Sequence, residues 1–232
     1  MASYRFENKK FVASAVENAT LHCLSFAEVK AYQEQSGNHL PADCAVKDIR
    51  AHFKEKVNFT LLADKILMAK NDAFINHYTD YTLLSLTLKN HEDPDKSEAI
   101  IMIIYKDYSL LFYDDTLSTI DTHIANINKV FSQIVEMTMP NLLIPYALIR
   151  HDLLTDRSFL RDIENTTLEL ELSFATELKD PQNTILDLRK TLSNYKHYYL
   201  SLIELFEDMT EDYEALLPND AALNYQRLTN KL

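Results

Sequence analysis

The chain of 232 residues holds a single glycine, Gly37. Phosphate-cradling loops rich in glycine are thereby excluded, because their turns need backbone conformations that residues with a Cβ adopt only at a cost. Nucleotide-loop enzymes drop out with them. Cysteine is nearly as scarce: Cys23 and Cys44 are too few for a disulfide framework and lack the paired spacing of a zinc module. A reducing compartment is the default. No window reaches the roughly 18 apolar residues that a membrane-spanning helix requires, and the opening residues alternate charged and aromatic side chains where a signal peptide would carry an apolar core. Positive charge is short as well, with 23 Lys and Arg against 35 Asp and Glu, a formal charge of −12. Nucleic acid and anionic lipid both recruit Lys and Arg, so this balance argues against either and in favour of cations or basic surfaces. Neither a Gly-x-Ser-x-Gly elbow nor a carboxylate pair marked out for acid–base work is present. Catalysis is not expected.

What is there suffices for a sizeable core. Apolar residues make up 47% of the chain, in one large domain or two small ones. Strand-like runs come first, at 3–7, 11–16 and 20–25, and read as an edge hairpin. Helices are predicted over 27–35, closed near Gly37, and over 42–56, where Val46, Ile49, Phe53 and Val57 keep one apolar face. Further strands are predicted at 81–88, 99–105 and 109–113, with Lys106-Asp107 in a tight turn. A helix over 117–137 follows, with Ile120, Ile124, Ile127, Val130, Phe131 and Ile134 on one side. Strands first and helices later predict an α+β or three-layer α/β head at 1–140 that passes into an all-helical half near Pro140.

That half carries two long arms. Residues 141–178 would extend almost ~60 Å at ~1.5 Å per residue, with Leu142, Tyr146, Ile149, Leu153, Leu160, Ile163, Leu170 and Phe174 at helical spacing and Asp156 and Thr167 as polar exceptions. The second arm has an apolar seam that includes Ile185, Leu188, Leu192, Tyr195, Tyr199, Leu202, Phe206, Met209, Tyr213 and Leu216. Asp180 suits an N-cap and Pro181 the first helical position, so a long antiparallel helical hairpin over 141–217 is predicted, turning at this pair. Beyond Leu217-Pro218, residues 218–232 form a last helical segment with no glycine cap and no polar tail. The expectation is the soluble part of a longer polypeptide, cut within this helix.

Several ordered stretches carry a family likeness. They are Leu61-Leu62-Ala63-Asp64, the strand 81–88, Ser97-Glu98-Ala99-Ile100 through Tyr105-Lys106-Asp107-Tyr108, Leu110-Leu111-Phe112, Leu142-Leu143-Ile144-Pro145-Tyr146-Ala147-Leu148-Ile149 and Leu188-Arg189-Lys190. In this order the chain resembles the cytosolic part of the CorA family of divalent metal-ion transporters, which includes the ZntB branch. The resemblance implies an α/β/α head, a truncated stalk helix starting in 218–232, and a regulatory, metal-sensing domain on the cytoplasmic face of the membrane, joined to its own transmembrane domain in a homopentamer. Mg²⁺ or another divalent cation would be its regulatory ligand. Asp64 matches the head aspartate that reaches a divalent ion between subunits. The usual stalk partner falls at or beside Leu228, which is no ligand, and Asn71-Asp72-Ala73-Phe74 stands where the family has an Arg-Pro-Lys element.

Each site has a plainer reading beside the functional one. Asp64, between Leu61, Leu62, Ile66 and Leu67, is a hard-ion ligand of Mg²⁺ or Ca²⁺ type or a simple helix cap. The helical half bears sixteen Asp or Glu against nine Lys or Arg over 141–232, a net of −7, which is either a solvated surface or a field for cations and basic partners. In a stand-alone interaction protein with no transport role, the same acidic hairpin would dock on a basic partner. His22-Cys23, His39, Cys44 and His52 lack zinc spacing, and Tyr195, Tyr198, Tyr199 and Tyr213 read as core packing.

Overall fold

The computed structural model describes residues 1–15, 18–35, 73–79, 81–89, 97–105, 107–115, 118–175, 182–212 and 219–230. Within them lie strands β1 Ala2–Glu7, β2 Lys10–Ala13, β3 Leu21–Ser25, β4 Phe74–His77, β5 Thr82–Lys89, β6 Ser97–Ile104 and β7 Ser109–Tyr113. The helices are α1 Phe26–Gln35, α2 Ile120–Phe131, α3 Ile144–Ala175, α4 Gln182–Asp212 and α5 Asn219–Thr229, with a 3-10 turn at Pro140–Leu143 before α3. Asp64, the helix predicted over 42–56, the Asp180-Pro181 turn, Leu217-Pro218, His39, Cys44, His52 and Tyr213 fall outside the described residues.

The strands form one sheet in the order β2-β1-β3-β7-β6-β5-β4, parallel between β3 and β7 and antiparallel elsewhere. Side-chain alternation divides it into two buried faces. Leu84, Leu86, Ile100, Met102 and Leu111 join the helical half in one core, whereas Leu83, Ile101, Ile103, Leu110 and Phe112 pack with Phe26 and Val29 of α1 in the other. A strand covered on both faces reads as a continuous apolar run, which is what Ala99–Ile104 is. Each such side chain contributes roughly 1.5–3 kcal/mol of transfer free energy. The three-layer α+β head expected from the sequence is the observed architecture.

Local chemistry sets the element ends. Ser25 and Glu28 cap α1 reciprocally, Ser25 N–H donating to Glu28 Oε2 at 2.8 Å and Glu28 N–H to Ser25 Oγ at 3.2 Å, while the Met1 amino group also donates to Glu28. The β1–β2 loop is the two-residue kind in which both φ angles are positive, here Asn8 at 49° and Lys9 at 63°. Lys9 Nζ then donates to the carbonyls of Ile134 and Val135, each at 2.8 Å. α2 stops at Phe131 rather than at the predicted 137: beyond it the bonds tighten to the three-residue kind, Gln133 N–H to Val130 carbonyl at 3.0 Å and Ile134 N–H to Phe131 carbonyl at 3.1 Å, and Lys9 then takes up the Ile134 and Val135 carbonyls of the segment that follows. At the sheet edge Asn128 receives Phe11 N–H at 2.7 Å and returns a bond to Phe11 carbonyl at 3.0 Å, occupying groups that an exposed strand would offer to another chain. Phe6, Phe11 and Phe131 meet at centroid distances of 5.3, 5.9 and 5.9 Å and fix the hairpin to α2. Strand β4 is absent from the sequence prediction. It is a four-residue edge strand, half-exposed, and pairs with β5 alone.

Helices α3 and α4 pass each other in opposite directions near their bases, where Asp152 meets Tyr198 and, further along α3, Phe159 meets Tyr195. Tyr195, Leu202, Phe206 and Met209 of the predicted seam are buried, as are Tyr198 and Leu205 beside it, whereas Leu192 is 45% exposed. α5 is anchored by Tyr225, whose hydroxyl donates to Leu142 carbonyl at 2.5 Å and whose ring lies 5.4 Å from Phe206.

Candidate functional site

α3 leaves the core with Leu142 through Ile149 buried, and two carboxylates follow one turn apart. The four-residue spacing of Asp152 and Asp156 puts both on one helix face, and α4 runs past that face. Tyr198 Oη donates to Asp152 Oδ2 and Tyr199 Oη to Asp156 Oδ2, both at 2.8 Å. Lys89, at the end of β5, adds its backbone N–H to Asp152 Oδ2 at 3.3 Å and holds its ammonium 5.8 Å from the Tyr195 ring and 5.9 Å from that of Tyr198. Phe159 stacks on Tyr195 at 4.7 Å. Asp152 is 9% exposed and Asp156 1%, so two charges are held out of water, an arrangement tolerable only with such donors around them. Burial first, and the two carboxylates second, push the Tyr195, Tyr198 and Tyr199 hydroxyls above the ordinary tyrosine range; Tyr198 and Tyr199 are the donors to the carboxylates, and Tyr195 Oη has no hydrogen-bond partner among the described residues. The cluster joins the sheet to both long helices through directional bonds. A displacement of α3 or α4 here must move the other and the end of β5.

Behind Asp156 and Tyr199 a cleft of about 800 Å³ opens between α3, α4 and α5. Arg150, Arg157 and Arg227 line it, as do Glu136, Asp156 and Asp220, so its fixed charges balance. Arg150 is oriented by Tyr146 Oη at 2.5 Å and Gln133 Oε1 at 3.0 Å.

A second polar cluster pins α2 to the sheet. His123 Nε2 lies 2.7 Å from Glu98 Oε1 and 2.9 Å from Ser118 Oγ, and Ser118 Oγ donates to Glu98 Oε2 at 2.5 Å. The residue types are those of a hydrolytic triad, but the connectivity is not. Serine and carboxylate meet the same imidazole nitrogen, whereas a triad needs them on opposite nitrogens.

Of the residues singled out from sequence, Asp64 is outside the described set. Asp156, the polar exception in the first arm, is a member of the buried cluster; Thr167, the other, is exposed and returns its hydroxyl to Ile163 carbonyl at 2.9 Å. His22 and Cys23 are adjacent on a strand and diverge: Cys23 enters the helical core, and His22 pairs through Nδ1 with Ser3 Oγ at 3.0 Å. Tyr195 and Tyr198 pack in the core, as expected. Leu228 is 3% exposed and faces that same core; Asn219, Leu223, Gln226 and Arg227 are the exposed residues of α5, and its carboxylate, Asp220, is half-buried and accepts Thr138 N–H at 2.8 Å. The Asp152–Tyr198 and Asp156–Tyr199 pairs were not anticipated. Their signal was present as two acids and two tyrosines on facing arms, but the partner register is invisible in one dimension.

No family model and no curated protein matches the chain. Solved structures do. The CorA magnesium transporter of Methanocaldococcus jannaschii superposes with a TM-score of 0.61 at 13% identity, over 99% of this chain and 68% of that one. Full-length CmaX gives 0.69 at 11%, over 100% and 69%. The ZntB cytoplasmic domain from Vibrio parahaemolyticus gives 0.62 at 12%, over 99% and 89%. The chain therefore has the fold of the CorA and ZntB soluble domains.

Proposed function

We propose that this chain is the cytosolic regulatory domain of a CorA-like divalent cation transporter, non-enzymatic, working in a homopentamer with its own transmembrane domain. The observation that carries the reading is the likeness of fold over the whole chain to a full-length magnesium transporter and to full-length CmaX, as well as to a ZntB cytoplasmic domain. No helix among the described residues is long and apolar enough to cross a membrane, so transport requires segments other than these. The −12 charge supports a role beside cations rather than polyanions.

In this reading Mg²⁺ or another divalent cation is the regulatory ligand and Asp64 its head-domain carboxylate, a hard oxygen donor suited to it. The other half of the site does not fit Leu228, which is buried in the core. The carboxylate that α5 does carry, Asp220, is half-buried and accepts from Thr138 N–H at 2.8 Å. Regulation is linkage, in which a cation bound more tightly to the closed assembly biases the pore shut by its differential affinity and no more. The buried Asp152–Tyr198 and Asp156–Tyr199 bonds join the two arms, the Lys89 N–H bond to Asp152 joins them to the head, and together they supply the stiffness such coupling needs.

The test begins with the codons after Leu232, where two long apolar runs with a Gly-Met-Asn loop are expected. The full-length protein, reconstituted in vesicles, takes up Mg²⁺ and is inhibited from the cytosolic side. Asp64→Ala raises the Mg²⁺ concentration needed for inhibition and weakens the Mg²⁺-dependent rise in melting temperature; equal shifts in both proteins remove Asp64 from the site. A reading frame without apolar spans overturns the transport reading. It would favour the interaction protein instead, for which exposed Asp162, Glu164, Glu169 and Glu171 beside exposed Leu168 and Leu172 are the supporting feature.

A further inference from the structure

In a chain with 35 acidic and 23 basic residues a cation finds a carboxylate easily, yet three arginines stand together without one. Arg150, Arg157 and Arg227 line the cleft of about 800 Å³ between α3, α4 and α5, and none of them makes an ion pair among the described residues. Arg150 and Arg157 are seven residues apart on α3, two turns and roughly 10 Å at roughly 1.5 Å per residue, so they share a face. Arg227 reaches the same cleft from α5. Arg150 is half-buried and oriented by a phenol and an amide, Nη1 donating to Tyr146 Oη at 2.5 Å and Nη2 to Gln133 Oε1 at 3.0 Å, with its guanidinium carbon 5.7 Å from the Tyr146 ring centre. Such partners fix the fork without neutralising it. The carboxylates of the lining are less available. Asp156 is 1% exposed and accepts from Tyr199, Asp220 is half-buried and accepts from Thr138 N–H, and of the three only Glu136 is exposed. Behind a formal balance of charge, an occupant entering from solvent meets three guanidinium groups and one exposed acid.

The chemistry of the walls narrows the occupant. All three cations are arginine, whose planar fork donates paired N–H bonds to the oxygens of one anion, where a lysine would act as a point charge. Three guanidinium groups against one exposed acid leave room for about two negative charges, which a phosphate monoester carries at neutral pH and a single carboxylate does not. The walls are also partly apolar. Val135 and Leu223 are 83% and 50% exposed at this cleft, and Leu153 lines it beside them, so an apolar body attached to the phosphate would cover side chains that now meet water. The volume is that of a small-molecule site, which spans about 300–1,000 Å³. The chain's charge of −12 repels anions from afar, but salt screens that field beyond a Debye length of about 10 Å, so the nearest groups decide.

We propose that this cleft binds a small organic phosphate, whose phosphoryl oxygens accept from Arg150, Arg157 and Arg227 and whose apolar part covers Leu153, Leu223 and Val135. The occupant ties α3 to α5 through charge-assisted bonds. The site involves neither Asp64 nor a metal ion and does not depend on the transport reading.

The experiment is an amide NMR titration of the 232-residue chain with phenyl phosphate, using inorganic phosphate, benzoate and NaCl at matched ionic strength as comparisons. The expected result is saturable shifts at Arg150, Arg157 and Leu223 with phenyl phosphate, weaker binding of inorganic phosphate at the same arginines, and no saturable shift with benzoate or NaCl. Arg157→Gln and Arg227→Gln, exposed changes that leave the core untouched, each weaken phenyl phosphate binding by about fivefold to tenfold. Glu136→Gln strengthens it, and Arg161→Gln, which removes an exposed arginine of α3 outside the cleft, leaves it unchanged. Phenyl phosphate shifts equal to those from NaCl, or binding unchanged in both Arg157→Gln and Arg227→Gln, overturn the site. An equal loss in Arg161→Gln overturns it as well, since the attraction would then belong to the whole surface. Benzoate binding as tightly as phenyl phosphate overturns the phosphate assignment, and inorganic phosphate binding as tightly overturns the organic one.

Discussion

Asp152 and Asp156 are the residues with most at stake, because a carboxylate removed from water depends wholly on its donors. Asp152→Ala leaves the Tyr198 hydroxyl and the Lys89 N–H without their acceptor and is expected to cost about 1.5–3 kcal/mol, read from urea unfolding midpoints. A loss below about 0.5 kcal/mol would mean that water replaces the acceptor. The same cluster sets a pH dependence. Tyr195, Tyr198 and Tyr199 have folded pKa values above the unfolded value of about 10. The native state thus favours the protonated phenol, and its contribution is complete below about pH 10 and lost as the pH rises from there toward the folded values. Stability is expected to fall along this alkaline limb, and to fall less steeply in Tyr198→Phe/Tyr199→Phe; parallel limbs in parent and variant would show that other groups govern it.

At the scale of elements, α2 and the outer part of α3 behave differently for a reason visible in their neighbours. α2 turns His123, Ile124, Ile127, Val130 and Phe131 inward against the sheet, with Thr119 accepting from Thr122 N–H as its N-cap. α3 beyond Asp156 leaves the sheet behind, and Leu168 and Leu172 remain 57% and 69% exposed. Ile127→Ala is expected to destabilise by about 2–5 kcal/mol and Leu172→Ala by less than about 0.5 kcal/mol, compared by thermal or urea melts. Periodicity was enough to find α2, β5, β6 and β7, because an apolar stripe repeated turn after turn fits a helix packed on one side, and a long buried run rich in Leu and Ile fits an interior strand. It was not enough for β4, whose four residues are half-exposed, nor for the end of α2, where the apolar spacing runs on to Ile134 although the helix has already given way to three-residue bonds whose following carbonyls bind Lys9 of the distant β1–β2 loop.

For the whole molecule the governing quantity is a formal charge of −12. Self-repulsion of that size opposes compaction, and salt screens it over a Debye length of about 10 Å at about 0.1 M. The melting temperature is expected to rise between about 20 mM and about 500 mM NaCl, with MgCl₂ acting at lower concentration than NaCl because a divalent ion screens more strongly. A melting temperature independent of salt would show that the acids are spread too widely to repel.

The sequence by itself determined the class of the fold, the helical half and the exclusion of glycine-loop chemistry, since these follow from composition and from periods of 2 and 3.6 that any local segment displays. The tertiary structure alone decided which polar groups meet. Asp152 is 46 residues from Tyr198, and Glu98 is 25 from His123. The Tyr81 and Tyr105 rings meet at 5.5 Å only because β5 and β6 are neighbours in the sheet. Pairing across such distances is fixed by the packing of many side chains at once, and no short stretch of chain carries that information.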